Sequence, residues 1–144
     1  MIRTAKIDDL DAVTNLAFSL WPNNEFEKLK DQMKRVLLDK NAAIFLCLID
    51  NKYIGFAQCQ LRFDYVEGTE STPVGYLEGI YVHKQYRKQG IAKKFIEQCE
   101  LWAKENNCIE FGSDCEIANT DSLKFHLKVG FTEANRIICF NKKL

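Results

Sequence analysis

The stretch from Leu77 to Ala103 restricts the fold more than any other part of the chain. An apolar run broken by one glutamate and one glycine, Leu77-Glu78-Gly79-Ile80-Tyr81-Val82, passes through His83-Lys84-Gln85-Tyr86-Arg87-Lys88-Gln89-Gly90 into a segment whose Ile91, Phe95, Ile96, Cys99 and Trp102 recur at helical spacing. A strand that feeds a one-sided helix needs a sheet to join and a sheet face on which to bury the helical stripe, which demands layered α/β packing. The turn between them also implies a chemistry. The first N–H groups of a helix lack intrahelical acceptors and its dipole is positive there, so a diphosphate binds without dedicated side chains. Gly90 can take backbone angles that larger residues resist, Ala92 keeps the approach open, and Arg87 and Lys88 add cations. Neither G-x-x-x-x-G-K-[S/T] nor G-x-G-x-x-G occurs.

The remaining pattern extends this layering. A short strand is expected over Ile2 to Ile7, then a helix with Asp8 as its N-cap, ended by Trp21-Pro22 because the residue before proline avoids helical angles. A second helix is expected to open with an Asn24-x-x-Glu27 cap. Ala42 to Ile49 and Tyr53 to Phe63 read as a hairpin closed by Asp50-Asn51, the second strand alternating Ala57, Cys59 and Leu61 with Gln58, Gln60 and Arg62. Strands over Val74 to Val82, Cys108 to Asp114 and Arg136 to Asn141 complete the set, with a helix from about Asn119 to Val129 closed by Gly130. The chain is expected to be one domain, residues 1–144, of α/β (α+β) class, with a central mixed, mostly antiparallel sheet and helices on both faces.

Twenty basic and twenty acidic side chains cancel, which removes the global field needed to hold nucleic acid or an anionic membrane. The start, MIRTAKIDDLDAV, has no apolar stretch behind a basic segment, so a cytoplasmic protein without a signal peptide is expected. The six cysteines lie mostly in apolar-periodic segments and read as reduced core residues. No C-x2-C or H-x3-H pair accompanies Cys108, Cys115 and His126, so no metal is expected.

Glu78 and Asp114 stand in or at the end of neighbouring apolar runs, and a charge there needs a reason. A shared acidic cavity at the strand ends, attractive to a cationic amine, supplies one.

Arg87-x-x-Gly90-x-Ala92 after a strand ending Tyr81-Val82 is similar to the pyrophosphate signature [R/Q]-x-x-G-x-[G/A] of the GNAT acetyltransferases. Phe63 to Val82, Trp21-Pro22 and Glu110-Phe-Gly-Ser-Asp114 look like those of aminoglycoside 6′-N-acetyltransferases, over nearly the whole chain. The resemblance implies a GNAT-type fold and acetyl-CoA as co-substrate. Ile80, Tyr81 and Val82 would pair with its pantetheine, Lys88, Gln89, Gly90, Ile91, Ala92 and Lys93 would embrace the pyrophosphate, and Asn119 would contact the cofactor. It further implies an aminoglycoside site lined by Trp21, Tyr65, Glu78 and Asp114. Asn24 and Asn135 stand where members can have a histidine and a glutamate, which puts the range of drugs in doubt. Many GNAT enzymes carry a thiolate-protonating tyrosine where His126 stands here.

The expected reaction is direct attack of the 6′-amine on the thioester. Asp114 or Glu78 would be the base, and a backbone N–H freed at a bulge near Ile80 and Tyr81 would meet the oxyanion. Cys115 lacks an identifiable partner base and is assigned to packing or the rim. A polyamine or protein amine as acceptor is the rival enzyme reading, and a non-catalytic acetyl-CoA-binding module the rival outside enzymology. A homodimer is expected because relatives of this short type commonly form one and because the apolar last strand needs a partner.

Overall fold

The computed structural model describes residues 1–144. Strand β1 (Ile2–Thr4) leads through a 3-10 turn (Ile7–Asp9) to helices α1 (Leu10–Leu20) and α2 (Phe26–Leu38). Strands β2 (Ala42–Ile49), β3 (Lys52–Arg62) and β4 (Val74–Val82) follow, then α3 (Ile91–Glu105), β5 (Phe111–Gly112) and α4 (Thr120–Lys128). The sheet order is β1-β2-β3-β4-β5, antiparallel except for the parallel β4/β5 pair.

Alternation along the strands splits the core into two layers. Ala57, Cys59 and Leu77 pack with Phe95, Ile96 and Cys99 of α3, and Phe125 of α4 joins that side. Ile44, Leu46 and Phe56 face the other way, against Val13, Leu16 and Ala17 of α1 and Leu29 and Met33 of α2. Two bulges adjust this pattern. Gly55 and Tyr53 oppose Cys47 and Leu48, which leaves Ile54 as the extra residue; Gly79 and Leu77 oppose Gln58 and Cys59, which leaves Glu78. The second bulge therefore falls at Glu78, earlier than the expected position near Ile80 and Tyr81.

Several local expectations are corrected. The residue ahead of α1 is Asp9, not Asp8, because the chain first makes a 3-10 turn; its carboxylate accepts from Lys6 N–H and from Arg3, which holds the Asp9 carboxyl well below the usual range. No Asn24–Glu27 box opens α2. Its N-cap is Glu25, and Asn24 Nδ2 instead donates back to Trp21 O at 3.1 Å. β5 is only two residues long, and residues 132–144 join no ladder. The expected last strand finds no partner within this chain and leaves Ile137, Ile138 and Phe140 66, 80 and 90% exposed.

Candidate active site

β4 outruns its parallel neighbour. The last β4/β5 pair is Tyr76 with Gly112, so Leu77–Val82 borders an open edge where β5 has ended. Arg87 Nε donates to Val82 O at 2.8 Å, fastening the turn to the strand's end. Lys88 and Gly90 then adopt left-handed angles, φ 60° and 79°. A side chain at Gly90 would meet nothing within 4 Å, so this glycine is required by backbone angle and lies open. The first backbone bond of α3 runs from Lys94 N–H to Gly90 O, which leaves the amides of Ile91, Ala92 and Lys93 without helical acceptors. Left-handed residues beside a helix start make an anion-binding concavity. Asn119 caps α4, its Oδ1 accepting from Ser122 N–H at 3.1 Å, which leaves its NH2 group free to donate.

The second constellation lies on the sheet face that carries α1, beyond that helix's end. Gln58 stands opposite Gly79, Gln60 opposite Tyr76 and Arg62 opposite Val74, so the polar half of the β3 alternation faces this side. Trp21 lies across Gly79, where an added Cβ would approach the indole to 2.7 Å, and meets Phe56 edge-on. The close approach at this strand glycine is thus made by Trp21. The Arg62 guanidinium forks onto both oxygens of Glu78, at 3.0 and 2.9 Å, and stacks 3.5 Å from the centre of the Tyr76 ring. Tyr76 in turn donates its hydroxyl to Asp114 Oδ2. Burial, and then this bond to Asp114, push the Tyr76 phenol above its ordinary value, so it remains a donor; Glu78 raises Arg62. Arg62 thereby balances the charge of the Glu78 carboxylate within the protein. Asp114 is exposed and keeps Oδ1 available. Gln58 is 4% exposed, and its Oε1 has no hydrogen-bond partner.

On the opposite side of the same strand end, Ser113 Oγ lies 2.7 Å from His126 Nε2. His126 Nδ1 lies 2.7 Å from Ser122 O, and the ring packs against Phe131. Consecutive residues thus serve opposite faces: Ser113 turns to α4 and Asp114 to Tyr76.

Residues 10–131 match the model of the acetyltransferase (GNAT) family. The chain belongs to the GNAT acetyltransferase family. Among its relatives is an aminoglycoside N(6′)-acetyltransferase type 1 of Serratia marcescens, 39% identical, with 100% of this chain and 99% of the relative covered. One of the same name from Acinetobacter haemolyticus is 38% identical, covering 99 and 98%. The structure of AAC(6')-Iy in complex with the bisubstrate analogue CoA-S-monomethyl-acetylneamine superposes with a TM-score of 0.96 at 34% identity, covering 100% of this chain and 98% of that one.

Within this GNAT fold the structure brings together Trp21, Glu78 and Asp114 around Arg62 and Tyr76. Tyr65 is 77% exposed on the β3–β4 connection, and Asn135 Nδ2 donates to Glu67 of that connection at 2.9 Å. Asn24 spends its amide on the turn after α1. Arg62, Tyr76, Gln58 and Ser113 are not among the site residues expected from the sequence. The signal for the first and third was present in the polar alternation of β3, which reads as a solvated face until α1 is seen to stop short of it.

Proposed function

We infer that this GNAT enzyme transfers the acetyl group of acetyl-CoA to the 6′-amine of aminoglycosides, conferring resistance to them. The observation that carries this reading is the placement of Glu78 and Asp114 with Trp21 on one sheet face beside the open β4 edge. The edge and the free amides of Ile91–Lys93 suit pantetheine and diphosphate, and the bisubstrate complex of a relative at 34% identity supports the pairing of the two ligands.

Backbone groups of Ile80, Tyr81 and Val82 hold the pantetheine arm at the unpaired edge. Arg87, through Val82, shapes the turn; Lys88 to Lys93 receive the diphosphate, and Asn119 donates to the cofactor. Trp21 and Tyr65 pack on sugar rings, while Glu78, carried by Arg62, fixes an ammonium group. Asp114 takes the proton that the 6′-ammonium must lose, and Tyr76 holds that carboxylate in place. The amine then attacks the thioester directly, with an unpaired β4 amide donating to the oxyanion. Asn135 acts at the rim by steadying Glu67, whose carboxylate serves a distal ammonium. Asn24 supports Trp21 through the turn it closes.

Acetyl-CoA turnover against kanamycin-type drugs, a 6′-hydroxyl analogue, spermidine and a peptide amine tests the reading. Drugs with a 6′-amine should be acetylated and the hydroxyl form should not. Equal turnover of both, or turnover of the polyamine or peptide alone, overturns it.

We further propose a homodimer. Exposed Ile137, Ile138 and Phe140 on a segment outside the sheet, together with the uncovered β5 edge, support pairing between copies. A monomer mass at micromolar concentration counts against it. The cytoplasm is the proposed location: the six cysteines are free, four of them buried, and no helix is long and apolar enough to cross a membrane.

A further inference from the structure

Acetyl transfer as read above leaves the departing CoA sulfur without a proton, and it leaves Ser113 without a task. His126 Nδ1 is 2.7 Å from Ser122 O, and a carbonyl oxygen only accepts, so Nδ1 carries the ring proton. Nε2 is then the basic nitrogen, and Ser113 Oγ, 2.7 Å away, donates to it. The neutral ring therefore has no proton to give from Nε2 and must be loaded before it can serve a leaving group. Ser113 is the residue directly after β5, where β4 and β5 part, and its chain neighbour Asp114 serves the other face. The acceptor nitrogen and the departing sulfur share one carbon at the point of reaction, and Ser113 stands where β4 and β5 part, beside the β4 edge proposed to hold pantetheine.

We propose that Ser113 is a further catalytic residue, and that its pair with His126 carries a proton from the acceptor nitrogen to the departing CoA sulfur. The proposal rests on the acetyl-transfer reading. The ammonium first loses one proton to Asp114 and onward to water, and the amine forms its bond to the thioester carbon, whose carbonyl electron pair moves to oxygen. The nitrogen of that intermediate carries two protons and a positive charge. One passes to Ser113 Oγ as the Ser113 hydroxyl proton moves to His126 Nε2, giving an imidazolium whose Nδ1–H remains on Ser122 O. The carbonyl re-forms, the carbon–sulfur bond breaks with its electron pair on sulfur, and the proton returns through Ser113 to the thiolate. One proton has gone to water and one from nitrogen to sulfur, which balances amide, thiol and a released proton against ammonium and thioester.

Ser113→Ala and His126→Gln should each lower kcat by about tenfold or more, the scale of a positioned proton-transfer group. Acetyl-CoA affinity by calorimetry should stay within about twofold of wild type, since only the relay has been removed. The double variant should be no slower than the worse single, because the two residues form one path. Ser113→Thr, which keeps the hydroxyl, should recover most of the rate, which a purely packing role at this position would not produce. If Ser113→Ala fails to fold, His126→Gln and Ser113→Thr carry the same expectations. Wild-type turnover with both single variants near normal, or with losses that multiply in the double variant, overturns the relay alone. A wild-type protein that acetylates no amine overturns acetyl transfer and the relay together.

Discussion

At the turn around Gly90 the groups free to meet an anion are backbone amides, fixed by left-handed residues and a helix start. On the floor beside Trp21 the groups proposed to recognise the substrate are side chains, each held by a side chain from another segment: Arg62 on Glu78, Tyr76 on Asp114. The difference teaches what each region can tolerate. A backbone site survives exchange of its side chains so long as the backbone angles are kept, whereas a side-chain site loses function one group at a time. The two also differ in electrostatics. The turn adds positive charge to a helix dipole, while the floor holds a near-neutral Arg62–Glu78 pair next to one uncompensated carboxylate.

The sharpest test of this contrast is Asp114→Asn. An amide preserves size and can still accept from Tyr76, but it cannot take the ammonium's proton, so turnover should fall by about 10² to 10⁴ with cofactor affinity unchanged. Steady-state rates at saturating acetyl-CoA measure this. Glu78→Gln should chiefly raise the half-saturating drug concentration. Reversed effects exchange the two roles, and near-normal rates in both singles and the double remove both carboxylates from proton transfer.

Next in size is Gly90→Asp, which should weaken acetyl-CoA binding by about 10- to 100-fold, or about 1.4 to 2.8 kcal/mol, and drug binding much less. A carboxylate at the helix start offsets the positive end of the dipole and repels the diphosphate, and the left-handed angle strains any side chain. Gly90→Ala isolates the second cause, because space for a Cβ is open. If both variants fold and calorimetry finds cofactor affinity unaltered, the turn has no part in binding diphosphate.

The same contrast explains what could be read from the sequence. The turn is made of consecutive residues, so a strand end, Arg87-x-x-Gly90-x-Ala92 and an amphipathic stripe suffice to find it. The span of β4, Val74–Val82, and of β2, Ala42–Ile49, agrees with expectation because apolar runs mark them, unbroken in β2 and interrupted in β4 only by Gly75, Glu78 and Gly79. Glu78 and Asp114 stood out as charges beside apolar runs, but their partners did not. Arg62 lies 16 positions from Glu78 and Tyr76 lies 38 from Asp114, and the bulge that places Glu78 over Arg62 depends on strand register. The last strand failed for a related reason. Its apolar pattern is real, yet the chain supplies no neighbour to complete its hydrogen bonds.

Arg62→Met probes the floor from its cationic side. Removing the guanidinium leaves Glu78, whose side chain is 20% exposed, without its partner and uncovers the Tyr76 ring. A pair whose side chains are 40 and 20% exposed contributes on the order of 1 kcal/mol, so stability should fall only slightly. Drug affinity is the more informative quantity. With Glu78 no longer paired, a substrate ammonium should bind about as well or up to fivefold tighter, within the same energy scale. A large loss of affinity instead would mean that Arg62 orients Glu78 so strictly that its geometry outweighs its charge.

The smallest effect is expected at the rim, from Glu67→Gln. Asn135 donates its amide to the Glu67 carboxylate at 2.9 Å, so a negative charge is held at the rim by the β3–β4 connection. Glu67 is exposed, and its attraction to a distal ammonium is screened by salt over about 8 Å at physiological ionic strength. Exposed ion pairs contribute about 0.2 to 1 kcal/mol, which corresponds to a rise in half-saturating drug concentration of roughly 1.4- to 5-fold with kcat unchanged. The rise should be largest in dilute buffer and fade as salt is added, whereas the turnover defect of Asp114→Asn should persist at every salt concentration. Asn135→Asp sharpens the comparison. It places a second carboxylate beside Glu67, so the drug should bind slightly tighter in dilute buffer even as the two acids repel each other. A salt-independent effect of Glu67→Gln, or none in dilute buffer, would show that Asn135 steadies Glu67 for the loop's own sake and not for the substrate.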